Sequence, residues 1–468
     1  MKNKWITALL SVLIACFVNV QAFSQDEGED GGFDFGNKID QTNALGMLMG
    51  YSNIADQSFF GLRVQPELHL GKFGMGLDIP LQVNLSTGKL RTDEFKDGVG
   101  VLRMIRYVSW GVKKRDPLYI RLGDISGSYL GYGMLINNFT NVTSFDKRKV
   151  GLNFDFCIKN FFGVEGLYSD FDGSSLNLLG VRPYIKPFGL TRIPVLRSLE
   201  IGASYVTDHD KTGPLSEKAG ITNLFTTSGM SGYGADIGLP LVSTPSIHLL
   251  LFAQYAMLDK NVDPDFELFY KTAGNPFVAN YEAGTGTSVG MDFRFKILGN
   301  VLRMDTRLER LWYNDYFIPQ FFDVNYEANR DARIASLTTT VKKQGIYGDL
   351  AITVLDKIRV SGGLMIPDNV NAANPALVKL DLDASQIVEK VVIKGTYIKG
   401  GLIDLGDAFK IDDRSLANVR VAYKLYSFLV VGVDYKWTWA VTKDGTFEAS
   451  NYWTPYFGLS YQLPFGDK

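Results

Sequence analysis

From Phe73 to Leu85 every odd position is apolar: Phe73, Met75, Leu77, Ile79, Leu81, Val83, Leu85. The even positions are Gly74, Gly76, Asp78, Pro80, Gln82 and Asn84. In a chain that is 46% apolar, a match of this length arises by chance in roughly one window in ten thousand, so the two-residue period is a signal. Successive side chains of a strand point to opposite faces, and this run therefore describes a strand with one apolar and one polar face. Before it, Phe60, Leu62, Val64, Pro66, Leu68 and Leu70 alternate with Gly61, Arg63, Gln65, Glu67 and His69, and only Gly71-Lys72 separates the two runs. That is hairpin spacing.

The pattern recurs along the chain. It is found at Leu152–Ile158, Tyr233–Leu241, Val289–Ile297, Arg303–Glu309, Leu429–Trp439 and Phe457–Phe465. Short connections fall near 71–72, 113–117, 160, 244–246, 298–300, 355–357 and 425–427. Longer ones near 86–100, 126–149, 209–229, 258–284, 314–343 and 400–414 alternate with them. Antiparallel strands with short turns at one end and long loops at the other are the pattern of a transmembrane barrel. The expected fold is all-β, an antiparallel up-and-down barrel of about 20 strands, with 16 to 20 the range. The faintest strand signals are at 43–51, 331–343 and 390–399. Pro66, Pro80, Pro183, Pro240 and Pro455 fall inside alternating runs, where bulges are expected to absorb the missing donor.

Composition is consistent with this. A mean hydropathy of zero and no apolar run of about 18 to 20 residues beyond the N-terminus exclude a helical membrane protein. Lys2 and Lys4 precede the apolar stretch Ile6–Val20, which reads as a secretory signal cleaved after Ser24. Loss of the two lysines moves the net charge from -2 to -4, which offers no footprint for nucleic acid. Cys157 is then the one cysteine left, so no intrachain disulfide is expected. The expected organisation is a signal peptide over 1–24, an acidic, flexible leader over 25–42 carrying Asp26, Glu27, Glu29 and Asp30, and a barrel over 43–468. Trp312, Trp437, Trp439 and Trp453 fall near long-loop ends and Trp110 near a short turn, as two interfacial aromatic belts would require.

Signal peptide, alternating strands, tight turns and long loops resemble a porin-like outer-membrane β-barrel of Gram-negative bacteria. The closing Tyr456-Phe457-Gly458-Leu459-Ser460-Tyr461-Gln462-Leu463 is similar to the terminal strand that barrel-assembly machinery reads, although the chain ends in Gly466-Asp467-Lys468 rather than an aromatic. The overall style, with Gln25 first after cleavage, resembles uncharacterised barrels of Bacteroidota. The resemblance implies location in the outer membrane, contact with lipid and lipopolysaccharide, and the assembly machinery as a partner during biogenesis. It transfers no solute.

Strand phase puts Arg63, Glu67, Asp292, Arg294, Lys296, Arg303, Asp305, Arg307, Glu309, Lys379, Asp381 and Asp383 on the polar face, as candidate pore-lining residues. Their mixed sign argues against strong ion selectivity and allows either a solvated lumen or ladders of ion pairs. The third long loop, Ser126–Lys149, is rich in glycine and apolar residues. In porins this loop folds inward, so Tyr129, Tyr132, Asn137 and Asn138 are candidate constriction residues, with an ordinary outer loop as the alternative. Two later loops are aromatic: Phe266, Phe269 and Tyr270 in one, Phe317, Phe321 and Phe322 in the other. Exposed, they would bind a hydrophobic ligand or an envelope protein partner; otherwise they pack on each other.

Enzymatic readings are thin. Asp208-His209-Asp210 with Asp412-Asp413 resembles the acid and histidine pairs of omptin proteases, which belong to much shorter barrels. Asp259, Asp263, Asp265 and Glu267 lack the central glycine of a calcium loop. No catalytic residue, metal or cofactor is expected, and a transporter with an N-terminal plug domain does not fit strands beginning near Asn43. The expected function is a passive channel or transporter for small polar solutes. The alternatives are a closed barrel serving as a scaffold and a transporter of hydrophobic ligands.

Overall fold

The computed structural model describes residues 44–462, apart from 55–56, 91–103, 126, 142–148, 172–177, 194, 209–229, 245, 261–282, 298–300, 324–325, 328–332, 334–336, 338–339, 356, 372–375, 385–389, 405, 411–414, 427–428 and 442–446. Its strands are β1 (Ala44–Ile54), β2 (Gln57–Leu70), β3 (Phe73–Leu77), β4 (Ile79–Asn84), β5 (Ile105–Trp110), β6 (Leu118–Gly123) and β7 (Gly151–Ile158). They continue with β8 (Phe162–Tyr168), β9 (Leu178–Ile185), β10 (Glu200–Asp208), β11 (Met230–Ser243), β12 (Ile247–Lys260), β13 (Gly284–Ile297) and β14 (Leu302–Tyr313). The last are β15 (Lys343–Val354), β16 (Ile358–Pro367), β17 (Ala376–Asp383), β18 (Val391–Leu402), β19 (Ser415–Tyr426), β20 (Leu429–Val441) and β21 (Phe447–Gln462).

Apart from β3 and β4, which both pair with β2 while β5 pairs with β3, each strand pairs antiparallel with its sequence neighbour, and β21 returns to β1 from Ala44↔Gln462 to Gly50↔Tyr456. β3 and β4 face β2 in one unbroken register, interrupted at Asp78, so the 21 segments build a closed barrel of twenty staves. The pairing of β21 with β1 joins the two ends of the sheet, as a sheet in lipid requires, because each unpaired backbone group there costs several kcal/mol.

Burial runs opposite to that of a soluble protein. Along β13, Gly284, Gly286, Ser288, Gly290 and Asp292 are buried, while the alternate Val289 is 57% exposed and Asp292 2%. The same inversion holds on β12, where Leu251 and Tyr255 are exposed and Gln254 is buried. Leucine, valine and tyrosine outside with carboxylates inside is the arrangement of a wall facing lipid on its outer surface. Trp312 and Trp110 are both exposed at opposite rims, as the belt requires; the side chains of Trp437, Trp439 and Trp453 lie outside the described residues.

Several sequence expectations need correction. The strand expected over 331–343 is not seen at its described residues: Arg333 and Leu337 are helical and β15 starts at Lys343. Lys159 and Asn160 form the β7–β8 turn, both at positive φ (50° and 53°). Of the prolines, Pro240 lies at a bulge, but Pro66, Pro80, Pro183 and Pro455 keep unbroken register. The connection at 55–56 is short although it lies at the long-loop end. The β9–β10 connection is longer than a tight turn and contains a 3-10 turn, Leu196–Ser198. β5 and β6 have only six residues each. At a tilt near 45° they rise about 14 Å, well below an apolar band of about 25 Å.

A membrane-facing Leu251 yields a measurable prediction. Leu251→Arg should destabilise the barrel by about 2–4 kcal/mol in denaturant titrations in lipid vesicles. A change below about 0.5 kcal/mol, the usual effect at a water-exposed position, would contradict the lipid-facing assignment.

Candidate functional site

The low wall at β6 decides what fills the barrel. The chain leaves β6 at Gly123, below the tops of the longer strands, and bare backbone cannot turn outward into lipid. It turns inward. Asn141 clasps the base of the resulting loop: its Oδ1 accepts from Ile125 N at 2.8 Å and its Nδ2 donates to Gly123 O at 3.3 Å and Ser169 O at 2.9 Å. Between these ends Leu130, Met134, Leu135, Ile136 and Phe139 are buried against Leu167, Leu178, Val206, Met230 and Leu258 of the surrounding strands.

Polar contacts hold the loop to the lumen wall. Gly131 N donates to Glu165 Oε1 at 3.2 Å, and Met134 N donates to Gln254 Oε1 at 3.0 Å. Lys113 Nζ donates to Tyr129 O at 2.7 Å, and an Arg307 guanidinium nitrogen donates to Tyr132 O. Tyr132 stacks on Phe252 at 5.2 Å. Gly131 has φ +58° and a side chain there would meet Asp236 Oδ2 at 2.8 Å, so a glycine is required on both counts. Of the four candidate constriction residues, Tyr129 and Tyr132 therefore reach the lumen wall. Asn137 N donates to Phe322 O at 3.3 Å, and Asn138 turns the chain at φ 53°.

The 314–342 loop locks onto the first. Ile136 and Phe322 form a parallel bridge, Phe322 N donates to Leu135 O at 3.0 Å, and Gln320 N donates to Met134 O at 2.8 Å. Phe317, Phe321 and Phe322 are wholly buried in the same cluster. They are not an exposed binding patch; the two loops cover them. Phe266, Phe269 and Tyr270 lie outside the described residues, as do His209, Asp210, Asp412, Asp413, Asp263, Asp265 and Glu267. Asp208 is buried and accepts from Tyr326 OH at 2.5 Å.

Beneath the apolar cluster, toward the short-turn end, is a charge network centred on Arg182. Its Nη1 donates to Glu165 Oε1 and Glu200 Oε1 at 2.7 Å each, and Nε to Asp236 Oδ2 at 2.8 Å. The β5–β6 turn adds Lys114 Nζ, 3.1 Å from Glu165 and 3.4 Å from Glu200, and Lys113 Nζ, 3.2 Å from Glu165. Burial lowers the Lys113 pKa, only partly opposed by Glu165. Burial also works against the Lys114 charge, but Glu165, Glu200 and Asp155 outweigh it and raise its pKa. Sequence reading missed Glu165, Lys113 and Lys114. The inward phase of β8 could have exposed the first, whereas nothing marks a turn lysine that folds back into a lumen.

The twelve predicted lumen residues divide into two environments. Arg307 and Glu309 pair at 3.0 Å with side chains only 4% and 2% exposed, and Asp305 binds Arg294 at 2.5 Å and Arg303 at 2.7 Å. Asp292 is buried beside them, and Lys296 is half-buried nearer the turn. Arg307, Glu309, Asp305, Arg294 and Arg303 are thus packed into ion pairs, whereas both carboxylate oxygens of the buried Asp292 are without a hydrogen-bond partner among the described residues. On the far wall, by contrast, Lys379 pairs with Asp381 at 3.0 Å and Lys394 with Asp383 at 3.1 Å, with Lys379 29% and Asp383 31% exposed. Glu67 pairs with Arg106; the Arg63 side chain lies outside the described residues. Among the described residues no group of His, Cys, Asp or Glu has a metal-holding arrangement.

Two outcomes follow. Arg182→Met strands the buried Asp236 and leaves Glu165 and Glu200 with only Lys113 and Lys114, so it should cost about 3–5 kcal/mol of unfolding free energy; an unchanged denaturation midpoint would contradict the network. In the loop cap, burial raises the Glu327 pKa to about 7 against the opposing pull of its ion-pair partner Lys149. A carboxyl held above its unfolded value, near 4.5, stabilises the packed loop fully below that value and loses this contribution as pH rises through about 7. Protection of the Tyr326 and Leu337 amides, measured as exchange relative to the intrinsic rate at each pH, should therefore fall between those limits in the parent protein and stay constant in Glu327→Gln.

No protein-family model matches the chain, and no curated protein does. Among solved structures it is similar to Wzi of Escherichia coli, described as an outer-membrane carbohydrate-binding β-barrel involved in group 1 capsule assembly. The identity is 10%, covering 91% of this chain and 85% of that one, with a TM-score of 0.35. It is also similar to OpdL of Pseudomonas aeruginosa (12% identity, 90% and 98% covered, TM-score 0.34). A third is the ferric enterobactin receptor of the same organism (9% identity, 90% and 80% covered, TM-score 0.36). Scores this low carry no argument about function. The fold assignment of this chain rests on its own strand pairing, a closed twenty-stave transmembrane barrel with two loops packed inside.

Proposed function

We propose that this protein is an outer-membrane channel for small polar solutes, with its aqueous path along the wall of β16 to β19 and beside an internal plug. One observation carries the reading: the gradient of exposure among lumen-facing charges. The β8–β15 side is filled by the two loops and by ion pairs of which Arg182–Glu165 and Arg307–Glu309 are almost wholly buried, while Arg294, nearer the short-turn end, keeps 21% of its side chain accessible. The paired side chains Lys379, Asp381, Asp383 and Lys394 keep a fifth to a third of their surface accessible. Alternating charge along such a path supports passage of polar and zwitterionic solutes without strong preference for either sign of ion. A signal-like N-terminus and the resemblance to Gram-negative porin-like barrels, including those of Bacteroidota, support placement in the outer membrane.

Of the competing readings, uptake of a hydrophobic ligand loses support, because Phe317, Phe321 and Phe322 are covered by the protein itself. A closed scaffold barrel stays as the rival outcome. Planar-bilayer recording separates the two. The parent protein should give small conductance steps. Replacing 129–137 by a short glycine–serine link should enlarge them several-fold. Lys379→Glu with Lys394→Glu should shift reversal potentials toward cations. Absence of steps in both the parent and the loop-shortened protein would overturn the channel reading. Co-purification with another envelope protein would then favour the scaffold.

A further inference from the structure

At the short-turn end of β12 to β16 the lumen wall carries more cations than acids. One register row runs His248, Arg294, Asp305, Ala351 and Ser361, and the next lumen-facing row toward the turns runs Lys296, Arg303, Thr353 and Arg359. Four cations against one carboxylate leave a local excess of three positive charges. Asp305 is shared, accepting from Arg294 Nε at 2.5 Å and Arg303 Nε at 2.7 Å, and Arg294 Nη2 is buried with no hydrogen-bond partner among the described residues. The neighbouring β17 and β18 add Asp381 and Asp383 together with Lys379 and Lys394, so the excess carries over. Elsewhere at this end the turn cations have acids of their own: Lys72 pairs with Asp116, and Lys113 and Lys114 with Glu165. A cleft lined by one sign of charge between low-dielectric walls concentrates the opposite charge.

The segment that complements this excess belongs to the same chain. Residues 25–42 lie outside the described residues, and they carry Asp26, Glu27, Glu29, Asp30, Asp34 and Asp40 against Lys38, a net charge of -5. They lead into β1, whose Ala44 is at the short-turn end, because β1 and β2 are joined at the other end through 55–56. The acids therefore arrive on the side where the cations are. Twenty staves about 4.8 Å apart and tilted near 45° close a ring roughly 43 Å across, which puts the cations about 35–43 Å from Ala44. Asp30 and Asp26 are 14 and 18 residues from Ala44, a reach of up to about 46 and 60 Å. Tethering holds the acids at an effective concentration in the millimolar range, so contacts made by charge alone are occupied.

We propose that the acidic leader docks on this cationic patch, its carboxylates pairing with Arg294, Lys296, Arg303 and Arg359, and covers the short-turn mouth of the lumen. Resting on the channel reading, the contact is autoinhibitory: the leader lies across the entry to the path along β16 to β19 and is released by salt. The contact itself needs the barrel and not conduction, so the two readings fail separately.

The test uses the full-length mature chain in nanodiscs, with Cys157→Ser and pairs of spin labels read by double electron–electron resonance. One label is placed at Gly28→Cys. The other is at Lys357→Cys in the β15–β16 turn or at Ser198→Cys in the β9–β10 connection. These two positions lie at nearly equal distances from Ala44 on opposite sides of the ring, so an undocked leader gives the same broad distribution with both. Docking should make the distance from label 28 to label 357 shorter than that to label 198 by roughly 15–20 Å, given about 35 Å between the two turns. Asp26→Asn, Glu27→Gln, Glu29→Gln and Asp30→Asn together should abolish the difference without altering the barrel, as should about 0.5 M salt. Arg294→Gln with Lys296→Gln should at least halve it, with heat-dependent gel mobility confirming the fold. If the parent conducts, the four leader substitutions should also raise its conductance at low salt; if it does not, the distances alone decide. Equal distributions in the parent, or a shorter distance to label 198, would overturn the proposal.

Discussion

Every feature of this protein depends on one requirement, that each backbone N–H and C=O crossing the lipid must find its partner within the chain. The return of β21 to β1 meets it for the wall. The same requirement explains the interior. Because β6 ends after six residues, the chain leaves the wall at a depth where lipid still lies outside, and the backbone that follows can be satisfied only inside the barrel. The Asn141 clasp and the contacts to Glu165, Gln254 and Lys113 are the partners found there. An inward loop is thus the consequence of a short strand.

Once inside, that loop brings the lumen under ordinary core physics. Its apolar segment buries itself with Phe317, Phe321 and Phe322 of a second loop in a cluster resembling the core of a soluble domain. The charged wall below cannot be left dry and uncompensated, since a buried charge without a partner is strongly destabilising. Arg182, with Glu165, Glu200 and Asp236 around it and Lys113 and Lys114 supplied from a turn, is the resulting compromise. On the opposite wall Lys379 and Asp383 keep access to water. The two sides of one lumen therefore differ, one packed by loops and ion pairs and one keeping access to water.

Much of this was legible in the residues. The alternation at 60–85 and 289–309 foretold β2, β3, β4, β13 and β14, and the faint signals at 43–51 and 390–399 proved to be β1 and β18. The segment at 331–343 misled because a short apolar and threonine-rich stretch looks the same in a strand as in a loop packed on a core. Glu165 was overlooked although the phase of β8 points it inward. The aromatic loops could be read two ways from sequence, as an exposed patch or as mutual packing. For 314–342 packing won, because Ile136 and the carbonyls of Met134 and Leu135 were available as partners.

The sequence by itself determined which side of each strand meets lipid, that the staves lie antiparallel, and which residues turn toward the axis. All of these follow from a period of two and from the spacing of turns, which are local properties. Only the tertiary structure decided what the axis contains. Whether Arg307 meets water or Glu309, and whether Tyr132 constricts a pore or stacks on Phe252, depends on how far one loop drops into the barrel. That depth is set by the height of β6 relative to neighbours far away in the chain, and no local periodicity encodes it.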